Sequence, residues 1–200
     1  MIRKFLFTLF ILFGAAGAHG STMEAEELIR VTTDKLLGEF SANRSAYEAD
    51  HESLYEMVNR IAVPHFDFER MTKNVLGMHY GSASDEQRRQ FTEQFRTLLV
   101  RTYSQALFQY SGEAINFIPS ETYKDSVIVR EEITVDQAVP VRLEYFLAQK
   151  EGEWKVYDVR IDGISLVTTY RNSYNVMISR KGLPVLIADL EKKNSVQTTQ

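Results

Sequence analysis

The chain has 200 residues, 23 of them basic and 27 acidic, is 44% hydrophobic and contains no cysteine. That length favours one domain with enough chain to bury a sizeable core. An acidic balance without a basic cluster argues against nucleic acid as a partner, and against adhesion to anionic membranes through bulk charge. The absence of cysteine excludes disulfides, thiolate nucleophiles and thiolate metal sites together.

Residues 1–18 have the layout of a secretory signal. Arg3 and Lys4 give a positive start, Phe5 to Phe13 an almost unbroken apolar run, and Ala16-Gly17-Ala18 a small-residue cleavage site. The run is shorter than the roughly 20 apolar residues that span a bilayer. Cleavage takes two of the 23 basic residues and none of the 27 acidic ones, leaving 21 against 27, a net of −6. No cysteine follows that would carry a lipid anchor, and no later run is apolar enough to span. Residues 19–200 are therefore expected to form a soluble, exported, single-domain protein, as in a bacterial periplasm.

Residues 23–110 read as helical. Leu28, Val31, Leu36 and Leu37 mark an amphipathic helix over 23–40, and Glu39 to Asp50 reads as a polar connector. A second helix is predicted from Ser53 to Ala62, stopped by Pro64. A short one follows from Phe66 to Leu76, ended by Gly77. Ser84 with Asp85 and Glu86 predicts the N-terminus of the longest helix, running to about Tyr110. Its second half (Leu99, Val100, Tyr103, Leu107, Phe108, Tyr110) is apolar on more than one face. Such a helix is either central in a core or borders something apolar that is not protein.

From Glu113 the period changes to two. Strands are predicted at Ala114–Pro119, Ser126–Val135, Val139–Lys150 and Trp154–Ile161, with turns at Asp136-Gln-Ala and Glu151-Gly-Glu. Val127, Val129, Ile133 and Val135 share one face, as do Val139, Val141, Leu143, Tyr145 and Leu147. Arg130, Glu132, Arg142 and Glu144 take the opposite, solvated faces. After Asp162-Gly163 the period returns to helical. Ile164, Val167, Tyr174 and Ile178 form a stripe interrupted by Arg171, so this helix is expected to lie back across the sheet. Gly182-Leu-Pro184 separates it from a last helix, Val185 to Lys192. The fold class is α+β: a curved antiparallel sheet of about four strands (113–161), with helices (23–110 and 163–192) packed over one face and enclosing an apolar pocket.

Residues that invite a chemical reading are few. His51, His65 and His79 share no ligand spacing, so no metal site is expected. Ser165 lacks the glycine context of a nucleophile, and no glycine-rich phosphate loop exists. Alternation places Asp158 on the covered face with Trp154 and Val156. An acid facing a tyrosine inside a cone-shaped α+β fold would make a pocket enzyme for a hydrophobic substrate. Pairing of Asp158 with Arg160 or Arg171 at the rim is the structural alternative. Tyr103, Tyr110, Tyr145, Tyr157, Tyr170 and Tyr174 serve equally as amphipathic core or as a lipid-facing rim.

Two segments carry a family resemblance. One is His65-Phe-Asp-Phe-Glu-Arg-Met-Thr-Lys-Asn-Val-Leu-Gly77, continuing through Ala83-Ser-Asp-Glu-Gln-Arg-Arg-Gln-Phe91 to Phe95 and Tyr103. The other is Trp154-Lys-Val-Tyr-Asp-Val with Asp162-Gly-Ile-Ser-Leu-Val and Tyr170-Arg171. In this order, and with the closing Gly-x-x-x-Leu-Ile-x-x-Leu at 182–190, they resemble the MlaC family of the Mla, or toluene-tolerance, system. Tyr80 stands where the family pattern often has Trp. The resemblance implies a monomeric periplasmic phospholipid carrier with no catalytic residues and no cofactor, the lipid being cargo. Its implied partners are an outer-membrane lipoprotein–porin complex and an inner-membrane ABC transporter with an MCE-domain component, together maintaining outer-membrane lipid asymmetry. The expected lining is Leu99, Tyr103 and Leu107 of the long helix, Val127, Val129, Val141, Leu143 and Tyr145 of the sheet, and Val167, Tyr170 and Tyr174 of the covering helix. A chaperone for exported lipoproteins is the other non-enzymatic reading of such a groove.

Overall fold

A computed structural model describes residues 17–134 and 139–196, with side chains at 22–134 and 139–195. Most of the signal segment, the expected turn at Asp136-Gln-Ala and the expected strand residue Val135 lie outside these residues. Six α-helices and five strands are formed among the described residues. The helices are α1 (Gly17–Ala49), α2 (His51–Ile61), α3 (Phe68–Leu76), α4 (Asp85–Ser104), α5 (Leu166–Lys181) and α6 (Leu183–Val196). The strands are β1 (Ile115–Tyr123), β2 (Ser126–Ile133), β3 (Val141–Lys150), β4 (Glu153–Ile161) and β5 (Ile164–Ser165). No helix among the described residues is long and apolar enough to cross a membrane.

Local capping chemistry sets the helix starts. Asp50 accepts the Glu52 amide at 3.0 Å, and Asp67 accepts that of Arg70 at 3.0 Å. Ser84 and Gln87 exchange side-chain and backbone hydrogen bonds in a capping box that opens α4. Several helix ends differ from expectation, two of them by more than a turn for reasons visible in the packing. The stretch from Glu39 to Asp50, expected as a polar connector, is mostly helical: α1 continues to Ala49 and is broken only at Asn43 (φ −124°, ψ 17°). Tertiary contacts override the polar composition, because Tyr47 stacks on Phe40 (6.1 Å between centroids) and the Arg44 guanidinium lies 4.8 Å over the same ring. Arg44 also donates to the carbonyl oxygens of Phe108, at 3.1 Å, and Tyr110. That grip belongs to the second correction. α4 stops at Ser104 and a tighter 3₁₀ segment, Gln105–Gln109, replaces its expected last turns. The tightening brings Leu107 and Phe108 onto the cluster formed by Phe40, Tyr47, Leu54 and Met57. The longest helix is therefore α1, not α4.

The sheet is an antiparallel meander in the order β1-β2-β3-β4-β5. Tight turns at Glu151-Gly152 (φ 54° and 84°) and Asp162-Gly163 (φ 49° and 80°) reverse the chain. The second of these pairs the two-residue β5 with β4, which is why five strands form where about four were expected. β1 runs past Pro119 to Tyr123, with its register shifted between Ile118 and Glu121. Proline has no N–H for the ladder, so pairing slips there instead of ending.

Cross-strand pairing divides the residues between two faces. Val127, Val129, Leu147, Val156 and Val159 are buried on the inner face with Ala25 and Ile29 of α1. On the outer face Arg130 pairs with Glu144 (2.8 Å) and Arg142 with Glu132 (2.6 Å), each directly opposite its partner. That face is less solvated than alternation implies, since Ile128, Phe146 and Ala148 are also buried. Tyr157 sits edge-on to Phe146 at 6.4 Å and Arg160 lies over it at 4.3 Å.

Apolar burial is gathered in three clusters. The largest joins α3, α4, α5 and α6 around Met71, Phe91, Phe95, Leu186 and Leu190. The α5 stripe is seated there through Val167, Tyr174 and Ile178, whereas Ile164 stays exposed in β5. α6 begins at Leu183, directly after Gly182, so Pro184 lies inside its first turn, where a missing N–H costs nothing. The second cluster is the inner sheet face under α1, and the third joins the C-terminal half of α1 to α2 and the 3₁₀ segment.

Candidate functional site

The edges of these three clusters are apolar but incompletely covered. α1 buries Ala25 and Ile29 against the sheet and Phe40 and Tyr47 against α2, yet no side chain from Arg30 to Glu39 is buried. At 1.5 Å per residue, that leaves roughly 15 Å of helix with no buried side chain between two well-packed ends. Thr33, Leu36 and Leu37 lie in this span, half-buried. Ile133, Val141, Leu143 and Ile161 at one end of the sheet are half-buried as well, as are Leu166 and Tyr170 of α5 and Tyr103 and Leu107 beyond them. Among the described residues α4 makes no extended contact with the sheet; α1, α3 and α5 bridge the two layers. A belt of half-covered apolar side chains along the seam between sheet and helices is the candidate site.

The eleven residues expected to line a pocket are distributed over this architecture. Leu99, Val167 and Tyr174 are buried in the helical cluster, and Val127 and Val129 in the sheet cluster. Tyr103 and Tyr170 flank the helical cluster, Tyr145 the sheet cluster and Leu107 the third, all four half-buried. Val141 and Leu143 belong to no cluster and are half-buried. The set thus divides into five side chains packed by protein atoms and six that remain open at the seam. The Tyr103 and Tyr170 phenols influence each other, each being among the causes of the other's shifted pKa. Burial pushes the phenols of Tyr103, Tyr170 and Tyr174 upward, so all three are neutral, and the Tyr170 ring packs edge-on to Phe95 at 5.1 Å.

Glu131 is the residue that alternation should have singled out. It lies between Val129 and Ile133 on the inner face, pairs directly with Leu143 and Phe117, and is only 2% exposed. The Tyr145 hydroxyl donates to its Oε1 at 2.5 Å, while Oε2 has no hydrogen-bond partner. Burial raises the Glu131 pKa. The neighbouring Tyr145 and Thr33 hydroxyls favour its charged form, and Asp34 opposes it. The sequence signal was a charged residue in the middle of an inward-facing valine run.

Asp158 is placed differently from the expectation. A β-bulge inserts Tyr157 into β4, so Val156 pairs with Leu147 but Asp158 pairs with Phe146. Directly opposed residues share a face, and a one-residue insertion flips every later side chain. Asp158 therefore leaves the face of Trp154 and Val156. Its Oδ1 accepts the amides of Val159 (2.9 Å) and Val167 (3.1 Å), and its Oδ2 the Ser165 hydroxyl (2.6 Å). Neither Arg160 nor Arg171 pairs with it: Arg160 covers Phe146 and Arg171 donates to the Asn74 carbonyl. Ser165 in turn caps α5 by accepting the Thr168 amide. Asp158 and Ser165 thus fasten the strand-to-helix turn. Asp158→Ala strands a backbone N–H and a hydroxyl in partly buried positions, at about 1–3 kcal/mol. Thermal denaturation should show a melting point several degrees lower; one equal to the parent's would contradict this anchoring role.

The histidines stand apart. His51 packs against Phe108 (5.3 Å), His65 lies in the 3₁₀ turn Val63–His65, and His79 hydrogen-bonds Asn175 at 2.8 Å. Among the described residues no group of three or more His, Cys, Asp or Glu is placed to hold a metal. An open groove of about 1070 Å³ runs between α3, the first half of α4 and the β3–β4 hairpin. Its walls interleave acids and bases, among them Asp67, Glu69, Arg88, Arg96, Lys150 and Lys155. An apolar chain gains little from entering walls that stay hydrated, so this groove is not the counterpart of the half-buried belt.

With this geometry in place, comparison with known proteins is specific. The model of the MlaC protein family matches residues 30–192. The chain is 30% identical to the intermembrane phospholipid transport system binding protein MlaC of Haemophilus influenzae, over 97% of this chain and 92% of that protein. It is 27% identical to the toluene tolerance protein ttg2D of Pseudomonas putida, over 91% and 85% respectively. Among solved structures, the phospholipid-binding protein of Ralstonia solanacearum, determined in complex with a phospholipid, superposes with a TM-score of 0.80 at 27% identity. That match covers 88% of this chain and 99% of that one.

Proposed function

The chain belongs to the MlaC family, and from that premise we propose that it binds a glycerophospholipid and carries it through the periplasm. The observation that carries this reading is the likeness, over most of both chains, to a protein whose structure holds a phospholipid. The half-buried belt supports it. A carrier has to shield acyl chains from water, since each methylene contributes about 0.8 kcal/mol. Tyr103, Leu107, Val141, Leu143, Tyr145 and Tyr170 present apolar surface that their neighbours do not cover. In this reading they receive the tails, and the buried Leu99, Val127, Val129, Val167 and Tyr174 back them. The phospholipid is cargo, and no cofactor takes part. The protein hands its lipid between an outer-membrane lipoprotein–porin complex and an inner-membrane transporter with an MCE-domain component, which maintains outer-membrane asymmetry. Asp158, the acid that the pocket-enzyme reading named, lends catalysis no support, because it is committed to the start of α5.

Native mass spectrometry of protein purified from periplasmic extract tests the reading in one measurement. The expected spectrum shows a mature chain beginning near His19, carrying a stoichiometric mass of one or more phospholipids that dissociates on activation. Protein recovered from the membrane with Met1 still present would refute the shuttle. So would periplasmic protein that never carries lipid, even after incubation with phospholipid vesicles.

A further inference from the structure

The unpartnered oxygen of Glu131 lies at the floor of the belt, and its chemistry is specific. Around this position the inner face of the sheet is aliphatic and aromatic, with Val127, Val129, Leu147, Val156 and Val159 buried and Phe117, Tyr145 and Trp154 packed against them. Its cross-strand neighbours Leu143 and Phe117, and Ile133 two residues along, are half-buried. The carboxyl thus sits beside surface that protein leaves partly open. Among the described residues, the groups that act on it are Tyr145 of β3 and, from α1, Thr33 and the exposed Asp34, none of them a cation. A buried carboxylate without a cation is costly, and Asp34 adds to that cost. With Tyr145 donating to Oε1, Oε2 is the oxygen left to carry a proton, and no hydrogen-bond partner meets it there. A buried donor left unmade is unfavourable, so a ligand that supplies an acceptor there gains more than an ordinary hydrogen bond.

We propose that Glu131 is a binding residue that donates, through Oε2, to a carbonyl oxygen of an acyl ester at the glycerol end of the bound lipid. This rests on the phospholipid reading above and adds which part of the lipid is recognised. The ester carbonyl fits because it is uncharged, only accepts, and lies where the acyl chain enters apolar surroundings. A phosphate does not fit, since an anion would meet Asp34 and an acid with no cation beside it. Tyr145 is a positioning residue, holding the carboxyl so that Oε2 points away from it.

The test compares diester and diether phosphatidylglycerol of equal chain length, competing from vesicles for delipidated mature protein and read by native mass spectrometry. The ether-linked lipid keeps the headgroup and both chains but lacks the carbonyls. The parent should prefer the diester by at least about fivefold, the ratio for one ordinary net hydrogen bond of about 1 kcal/mol. Glu131→Gln keeps an N–H donor and should retain most of the preference. Glu131→Leu should bind both lipids with a ratio near one. Equal binding of both lipids by the parent overturns the inference by itself, whether or not the leucine variant folds, as does an undiminished preference in a folded Glu131→Leu protein. Binding of neither lipid overturns the carrier reading and takes this inference with it.

Discussion

Leu143→Arg is expected to leave a folded, exported protein that co-purifies with less than about one tenth of the parent's phospholipid. Leu143 belongs to none of the three apolar clusters and is half-buried, so no packed core depends on it. Its directly opposed partner on β2 is Glu131, with which an arginine can pair across the strands instead of standing as an isolated charge. Glutamate at the same position would set a second carboxyl beside the buried Glu131 and would confuse loss of lipid with loss of fold. The guanidinium fills space that acyl chains require and keeps the surface polar. Displacing as few as two or three methylenes costs about 2 kcal/mol, more than tenfold in affinity. Lipid phosphorus per mole of folded protein is the measurement. Val139→Arg, at a position 88% exposed, serves as the control and should change nothing. Normal lipid content in both Leu143→Arg and Tyr103→Arg would move the site away from this seam.

Phe95→Ala should produce the largest loss of stability of any single truncation near the site. Phe95 is fully buried in the helical cluster, and its ring contacts Phe91 at 5.6 Å, Tyr170 at 5.1 Å and Tyr174 at 6.5 Å. Removing a buried phenyl ring costs about 3–5 kcal/mol, transfer and cavity terms together. For a chain of this size each kcal/mol lowers the melting point by roughly 2–4 °C. A fall on the order of 10 °C is therefore expected in calorimetry or circular dichroism. Met78→Ala, at a position 83% exposed, should stay within a degree or so of the parent. Because Tyr170 and Tyr174 rest on Phe95, bound lipid should decline in the same variant, by way of disordered walls and not of a lost contact. A melting point within about 2 °C of the parent's would show that the ring is not packed as described.

Period and composition were enough to read the helical N-terminal half, the meander, the strand-to-helix switch at Asp162-Gly163 and the capping box at Ser84. These are local matters: alternation fixes a strand's two faces, glycine admits the positive φ a tight turn needs, and a serine oxygen caps the helix that follows it. The family resemblance was legible for the same reason, since its motifs lie at those caps and turns. Other features depend on partners distant in sequence. Polar residues after Phe40 stay helical because Arg44 and Tyr47 close over Phe40 and the Phe108 and Tyr110 carbonyls lie within reach. The last turns of α4 tighten because Leu107 and Phe108 have a cluster of α1 and α2 to enter. The single inserted Tyr157 reverses the face of Asp158, and nothing in a period-two pattern announces a bulge. Of the eleven expected lining residues, sequence identified apolar, inward-facing positions. It could not divide those packed by protein, such as Val129, from those left open, such as Leu143, because coverage is decided by where α1 crosses the sheet. Glu131 escaped notice although alternation sets it between Val129 and Ile133 on the inward face, because a charge reads as exposed until the packed sheet shows it buried opposite Leu143.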